Sequence, residues 1–207
     1  MSPARPRTYL VTGAASGIGE ATAARLRARG HTVLGADLAG ADIDADLSAP
    51  EGRTRLVDRA RELSGGRLDA VIADAALAGD ESAATAAAEA AVQRGEGHAV
   101  YGSSKNALAR WVRRTAATAA WAGAGIPLNA IAPGTVLTPM TEPMLAAPGV
   151  REVVDAVIPM PLNGRAAAEQ ATPLLDFLTS PENTHVTGQI VFIDGGADAT
   201  LRGEGAW

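Results

Sequence analysis

The chain of 207 residues has no cysteine, a single lysine (Lys105) among its 18 basic residues, and only two tyrosines, Tyr9 and Tyr101. Without cysteine it can form neither a disulfide framework nor a thiolate-ligated zinc or iron–sulfur centre. No apolar run reaches the roughly 18 residues of a membrane-spanning helix. The basic stretch 1–7 precedes only a short apolar run, without the apolar region of about 7–15 residues and the cleavage site of a secretory signal. The basic residues are dispersed arginines and the net charge is -5. Phosphate-backbone binding rests on clustered cations, so nucleic acid is not an expected partner. A soluble, cytoplasmic protein with no membrane or nucleic-acid partner is the expectation.

What is present is a hydrophobic content of 47%, ample for one core of about 100–200 residues or slightly more. Residues 1–207 are therefore read as a single domain. Thr8 to Val11 is an apolar β-type run ending in Gly13, and Gly19 to Arg29 a helix that Gly30 stops. His31 to Gly35 reads as a second strand with Asp37 just beyond its end. Asp42 to Asp46 predicts a short third strand, Pro50 to Leu63 a helix whose start Ser48 and Pro50 mark, and Leu68 to Ala73 another strand. An Ala-rich helix over Ser82 to Arg94, a long amphipathic one over Tyr101 to Trp121, and strands over Pro127 to Ala132 and Gln189 to Ile193 follow. Strands alternating with helices predict an α/β protein with a doubly wound parallel sheet. Between Thr138 and Gly164, five prolines interleaved with Met140, Met144 and Met160 predict a mobile apolar flap.

Three features carry chemistry. The turn Thr12-Gly13-Ala14-Ala15-Ser16-Gly17-Ile18-Gly19 stands between a strand and a helix. There, backbone N–H groups and the positive helix end converge on a pyrophosphate, although a glycine trio alone is equally a tight structural turn. Asp37 follows Gly19 by 18 positions, near the spacing of about 20 at which a carboxylate meets the adenosine ribose. Its charge repels a 2′-phosphate and Ala14, Ala15 and Ser16 offer no cation, which favours NAD(H) over NADP(H). Tyr101 and Lys105, four apart, fall on one face of a helix. A phenol with a pKa near 10 is a poor acid–base group at neutral pH, but a neighbouring ammonium favours the phenolate and allows proton exchange with an alcohol or ketone.

With these residues in order, the chain resembles the short-chain dehydrogenase/reductase family. Asp46-Leu47, Asn129-Ala-Ile-Ala-Pro133-Gly134 and Ile193-Asp194-Gly195-Gly196 add to the match. The stretch Tyr101-Gly-Ser-Ser-Lys105 with Gly195-Gly-Ala-Asp-Ala is most similar to bacterial 3α-hydroxysteroid dehydrogenase/carbonyl reductases. The resemblance implies a Rossmann-type fold in which Gly13, Ser16, Gly17, Ile18, Gly19, Asp37, Asp46, Leu47, Ala75, Pro133, Gly134, Val136 and Thr138 line the cofactor. Asp46 would touch the adenine, Val136 the carboxamide and Thr138 the pyrophosphate. Tyr101 and Lys105 would be catalytic and also bind the cofactor, Lys105 at the nicotinamide ribose. It further implies a small apolar alcohol or ketone as substrate, closure of the 138–164 flap over it, no metal, and a homodimer or homotetramer, the stretch Ala166 to Ile193 being the expected contact.

The pattern breaks at one place. The family's Asn-Asn-Ala-Gly reads here Ala73-Asp74-Ala75-Ala76, and only 24 residues separate Ala76 from Tyr101. At least one strand–helix unit of about 30 residues is missing, together with the serine that polarises the substrate carbonyl. The sheet must lack that unit or re-pair across the gap, because buried strand edges cannot stay unpaired. Ser82, Ser103 and Ser104 are the nearby serines, and His98 a loop histidine near Tyr101. An active oxidoreductase and a shortened, catalytically impaired binding or scaffold protein are both compatible with these residues.

Overall fold

A computed structural model describes residues 5–74 and 97–206, with side chains described for 5–74 and 104–205. Its first strand, β1 (Thr8–Thr12), lies between β2 (Thr32–Asp37) and β4 (Ala70–Ile72), and β3 (Ile43–Asp44) pairs on the far side of β2. All three pairings are parallel. Helices α1 (Gly17–Ala28) and α2 (Pro50–Leu63) provide the crossovers. Alternation along the strands explains why both faces are covered. Tyr9, Val11 and Val33 point to one side with Ala23 and Leu26 of α1 and with Ile72. Leu10, Leu34 and Ala36 point to the other with Ile43, Ala45 and Ala60 of α2. Each Val, Leu or Ile side chain among them contributes roughly 1.5–3 kcal/mol when fully buried, so the two faces together hold the β1–β2 pair rigidly.

The predicted elements are recovered with shifted ends. The predicted α2 span matches the observed one, but its N-cap is Ala49, without a side-chain bond; Ser48 instead turns to Asp46. Asp37 is the last residue of β2 rather than a residue beyond it, because Ala45 N–H donates to its carbonyl and prolongs the ladder. The long helix, α3 (Gly97–Thr115), starts before Tyr101 and ends six residues before Trp121, which instead leads into a 3₁₀ turn at Ala122–Ala124. The Ser82 to Arg94 helix lies outside the described residues.

Beyond the first sheet, β5 (Ala130–Pro133) pairs with β8 (Ile190–Ile193), and β6 (Val136–Leu137) pairs in parallel with β7 (Ala166–Ala167). Among the described residues β4 is the last strand of the four-stranded sheet and β5 pairs with β8; the stretch on which the expected loss or re-pairing of a unit turns lies outside them. The chain forms two compact units, one of Met1–Asp74, Ile131–Thr184 and Val191–Trp207, the other of Ala75–Ala130 and His185–Ile190.

Within the first unit a buried carboxylate joins α1 to α6 (Thr172–Thr179), a label that follows α4 (Glu142–Leu145) and α5 (Val150–Val157) in the chain. Asp176 is 4% exposed and accepts from Arg25 Nε at 3.1 Å and from Arg29 Nη1 at 2.6 Å. Two cations offset the cost of burying one carboxylate, which unpaired would be strongly destabilising. At the other end of β1, Thr8 N–H donates to Asp69 Oδ2 at 2.9 Å. That bond, assisted by Arg67, Arg7 and Arg5, holds the Asp69 carboxyl below its ordinary value of 3.8. Because the folded-state value is depressed, the ionised group adds stability above about pH 4 and loses it as pH falls through the folded-state value. Asp69→Asn keeps an acceptor but not the charge. It is expected to cost about 1 kcal/mol at neutral pH, a fall in Tm of about 2–4 °C, and to flatten the loss of stability between about pH 5 and 2. Thermal melts across that range check this; equal slopes for both proteins would contradict it.

Candidate functional site

The C-terminal end of β1 runs straight into the turn. Gly13 and Gly17 have φ of 66° and 58°, a region that residues with a side chain enter only at a cost. Gly19 is required for a different reason. A Cβ there would stand 2.2 Å from the Gly13 carbonyl oxygen and 2.6 Å from its carbon, so the first turn of α1 packs directly on the end of β1. Ser16 is extended (φ -156°, ψ 163°) and no side chain caps α1. The amides of Gly17, Ile18 and Gly19 thus begin the helix, where the peptide dipoles favour an anion. Around the turn, Ala14 N–H donates to the Ala36 carbonyl at 3.2 Å, and Asp74 N–H donates to Thr12 Oγ1 at 3.0 Å.

Asp37 faces this turn. Ala15 N–H donates to its Oδ2 at 3.0 Å and Leu38 N–H to its Oδ1 at 2.7 Å. Each oxygen keeps a further lone pair for a hydroxyl donor. Thr138 also reaches the turn, its Cγ2 lying 3.2 Å from where a Cβ of Gly17 would stand. Thr141, which the sequence did not single out, fixes Thr138: it accepts from Thr138 N–H at 3.0 Å and donates to the Val136 carbonyl at 2.6 Å. Val136 itself is buried in the β6–β7 pair.

Asp46 is exposed, and the Ser48 hydroxyl (2.6 Å) and N–H (2.9 Å) both donate to its Oδ1. These bonds hold its carboxyl below 3.8. Leu47 is half-buried against the Leu10–Ala60 cluster. A second tight approach, unread in the sequence, sits here: a Cβ on Gly52 would lie 1.8 Å from the Asp46 carbonyl oxygen. The first turn of α2 is thereby pressed onto Asp46, as α1 is onto Gly13.

Pro133 ends β5, and Gly134 N–H donates to the Ile193 carbonyl at 3.2 Å. Gly134 is enclosed: its Cβ would be 2.8 Å from Met160 Cε and 3.0 Å from Asp194 Cα. Met160 Sδ accepts from Thr135 N–H at 3.3 Å. Met160 therefore packs a turn, whereas Met140 is 86% exposed and Met144 is exposed beside it. The segment 138–164 carries α4 and α5 rather than irregular chain alone, and α5 leaves Val153 and Val157 exposed. Arg165 ties α5 down through the Asp155 carboxylate and the Arg151 carbonyl.

Tyr101 and Lys105 lie one turn apart on α3; the Tyr101 side chain is outside the described set, and Lys105 and Ser104 are exposed. His98 is within α3 and not in a loop, since the helix begins at Gly97. Ala75, Ala76 and Ser82 lie outside the described residues, as does the Ser103 side chain. Tyr9 is structural. It is 1% exposed, its hydroxyl accepts from Arg7 Nη1 at 3.4 Å, its ring lies 5.2 Å from that of His31, and burial pushes its phenol above 10.0. Further along α3, Trp111 meets Trp121 edge-on at 6.0 Å and Arg113 donates to the Gly188 carbonyl at 3.0 Å. A cavity of about 210 Å³ beside them is lined by none of the candidate residues. Among the described residues no helix is long and apolar enough to cross a membrane, and no group of three or more His, Cys, Asp or Glu side chains could hold a metal ion.

Comparison with known proteins gives a concordant result. A family model described as enoyl-(acyl carrier protein) reductase matches residues 82–198. A 3-alpha-hydroxysteroid dehydrogenase/carbonyl reductase of Comamonas testosteroni is 32% identical over 253 residues, covering 93% of this chain and 97% of the relative. A 3-oxoacyl-(acyl-carrier-protein) reductase of Thermotoga maritima is 26% identical over 244 residues, covering 92% and 97%. Both alignments exceed the 207 residues of the chain, so at least 46 positions of the first (253 less 207) and 37 of the second (244 less 207) have no residue here. Among solved structures, the 3-alpha-hydroxysteroid dehydrogenase from Pseudomonas sp. B-0831 complexed with NADH superposes with a TM-score of 0.82 at 29% identity, over 95% of this chain and 99% of that one.

The contact at Gly52 yields a test of the local geometry. Gly52→Ala is expected to destabilise the protein by about 1–3 kcal/mol or more, because backbone must move to admit the methyl group. Gly205→Ala, where nothing lies within 4 Å, should change stability by less than about 0.5 kcal/mol. Urea denaturation of both variants measures the difference, and equal midpoints would refute the contact.

Proposed function

The chain belongs to the short-chain dehydrogenase/reductase family, and from that premise we propose that it is an NAD(H)-dependent oxidoreductase interconverting a secondary alcohol and a ketone, a steroid or another apolar carbonyl compound. The observation that carries this reading is the turn itself. Gly13 and Gly17 take positive φ, Gly19 lets the first turn of α1 pack on the Gly13 carbonyl, the helix begins there without a side-chain cap, and Asp37 stands beside Ala15. These features fit a dinucleotide, with the pyrophosphate at Ser16 to Gly19, a ribose diol at Asp37 and the adenine at Asp46 and Leu47. An anionic Asp37 hydrogen-bonds a diol and repels a 2′-phosphate, which supports NAD(H) over NADP(H).

When bound, the nicotinamide supplies the hydride acceptor or donor. The chain supplies the rest. Tyr101 exchanges a proton with the substrate oxygen, and Lys105 holds a positive charge near the phenol, favouring the phenolate that accepts a proton from an alcohol. Val136 meets the nicotinamide carboxamide through its backbone, and the 138–164 segment, with exposed Met140, Met144, Val153 and Val157, forms an apolar cover for substrate. In this reading residues 1–207 act as one dinucleotide-binding domain and assemble as a homodimer or homotetramer in the cytoplasm. Loss of a carbonyl-polarising donor typically costs about 10²–10³ in rate, so turnover is expected to be slow beside a relative that has the serine.

A second reading has its own support. The altered Ala73-Asp74-Ala75-Ala76 motif and the alignment positions without a counterpart here favour a catalytically impaired member that binds or scaffolds. Titration with NADH, followed by nicotinamide fluorescence, separates the two. Saturable binding with a Kd below about 1 mM, and loss of ketone reduction in Tyr101→Phe while NADH binding stays saturable, are the expected results. Absence of saturable binding would reject the oxidoreductase reading, and undiminished turnover in Tyr101→Phe would reject the proton-transfer role.

A further inference from the structure

The bend that follows β2 has little to hold it. Leu38 is 69% exposed, Ala39, Gly40 and Ala41 are exposed or half-buried, and Gly40 has φ of 79°. Asp37, at the start of this bend, nevertheless bonds both Ala15 and Leu38. What anchors the bend lies at its far end. Gly35 is a buried residue of β2 whose N–H faces the β3 side of the sheet, one residue before the β3 backbone begins to pair at Ala36. Asp42 Oδ2 takes that bond at 2.7 Å, so a side chain extends the ladder where no strand backbone is present. The same oxygen accepts from Arg27 Nη2 at 3.0 Å, and Arg27 Nη2 also donates to the Val33 carbonyl at 3.2 Å. Asp44 Oδ1 closes the bend by accepting from Ala41 N–H at 3.2 Å.

We propose that Asp42 is a positioning residue: by joining Gly35 N–H to Arg27 it sets the bend 38–41, and so directs the Asp37 carboxylate at the glycine turn and sets the discrimination between NADH and NADPH. The discrimination rests on the function proposed above; the positioning of Asp37 does not. A carboxylate rejects a 2′-phosphate only where it is held. Fixed at both ends of the bend, Asp37 cannot swing into solvent to admit a phosphorylated ribose. Gly35 belongs to the same arrangement, since a Cβ there would lie 2.9 Å from Ala14 Cβ and 3.4 Å from Asp42 Oδ2. The space between α1 and β2 that Gly35 leaves open is the space through which Asp42 and Arg27 meet.

The test uses the full chain with Asp42→Ala, Asp42→Asn and Arg27→Met. Amide hydrogen exchange is read without ligand, and NADH and NADPH dissociation constants by nicotinamide fluorescence. In Asp42→Ala the Ala15 and Leu38 amides are expected to exchange at least ~10-fold faster while Leu10 and Val11 keep their protection. The ratio of NADPH to NADH dissociation constants is expected to fall at least ~5-fold. Asp42→Asn, whose amide oxygen can accept both bonds, should stay within about twofold of the parent. Arg27→Met, which keeps the Gly35 bond, should move both readouts in the same direction by less, and serves if Asp42→Ala does not fold. Unchanged Ala15 and Leu38 exchange in Asp42→Ala or Arg27→Met overturns the positioning role, and an unchanged ratio with faster exchange overturns the link to discrimination. If the parent binds neither dinucleotide but the exchange responds as stated, the cofactor reading fails while the positioning of Asp37 by Asp42 stands.

Discussion

The contact on which the candidate site depends is that of Gly19 with the Gly13 carbonyl, where a Cβ would lie 2.2 Å from oxygen. With hydrogen in that position, the first turn of α1 rests on the end of β1. The helix amides are then delivered to the point where β1, an interior strand of the four-stranded sheet, ends. With any side chain there, α1 would have to lift or shift, and the amides of Gly17 to Gly19 would no longer share a focus. The two-sided packing of β1 makes this contact rigid, because Tyr9 and Val11 on one face and Leu10 on the other leave the strand no direction in which to yield. Asp176, bound by Arg25 and Arg29, fixes the opposite end of α1. The same device recurs at Gly52, which lets α2 press on the Asp46 backbone, so both acids of the candidate site stand beside backbone that cannot easily move.

Acidic side chains do much of the positioning work that backbone does elsewhere. Asp42 extends the β2 ladder, Asp69 receives the N–H of the first residue of β1, and Asp37 bridges β2 to the turn. Thr12 and Thr141 do the same with hydroxyls, the first tying Asp74, two residues past β4, to the turn and the second fixing Thr138. In a chain with very short strands such as β3 and β6, two residues each, side-chain bonds of this kind define the register that longer ladders would otherwise impose.

Much of this was legible in the residues. The alternation of β1 and β2, the Pro50 start of α2, the glycine turn and Asp37 are signals carried by local backbone chemistry, and local chemistry survives folding. Other features depend on contacts distant in sequence. Ser48 looked like a helix cap, whose oxygen would accept a helix N–H, but its hydroxyl and N–H both donate back to the Asp46 carboxylate and Ala49 takes the cap position instead. Gly52 carries no signal within its own helix, because its constraint comes from the Asp46 carbonyl outside it. Met160 shared its neighbours' pattern with Met140 and Met144, yet the enclosed Gly134 and the Thr135 N–H draw it into a turn. The start of α3 at Gly97 lacked a capping signal within the helical period that began at Tyr101. Of the two tyrosines, Tyr9 is buried in the core, and Tyr101, marked in the sequence by its spacing to Lys105, is the one proposed for proton transfer.

The central claim is that this shortened chain keeps a dinucleotide site whose anchor is the α1 turn. A crystal structure of the protein grown with saturating NADH tests it most directly. The account predicts pyrophosphate oxygens within hydrogen-bond distance, about 2.7–3.2 Å, of the amides of the Ser16 to Gly19 segment, and a ribose diol on Asp37. A well-ordered protein with the turn intact but no dinucleotide there, or with NADH bound elsewhere, would contradict it.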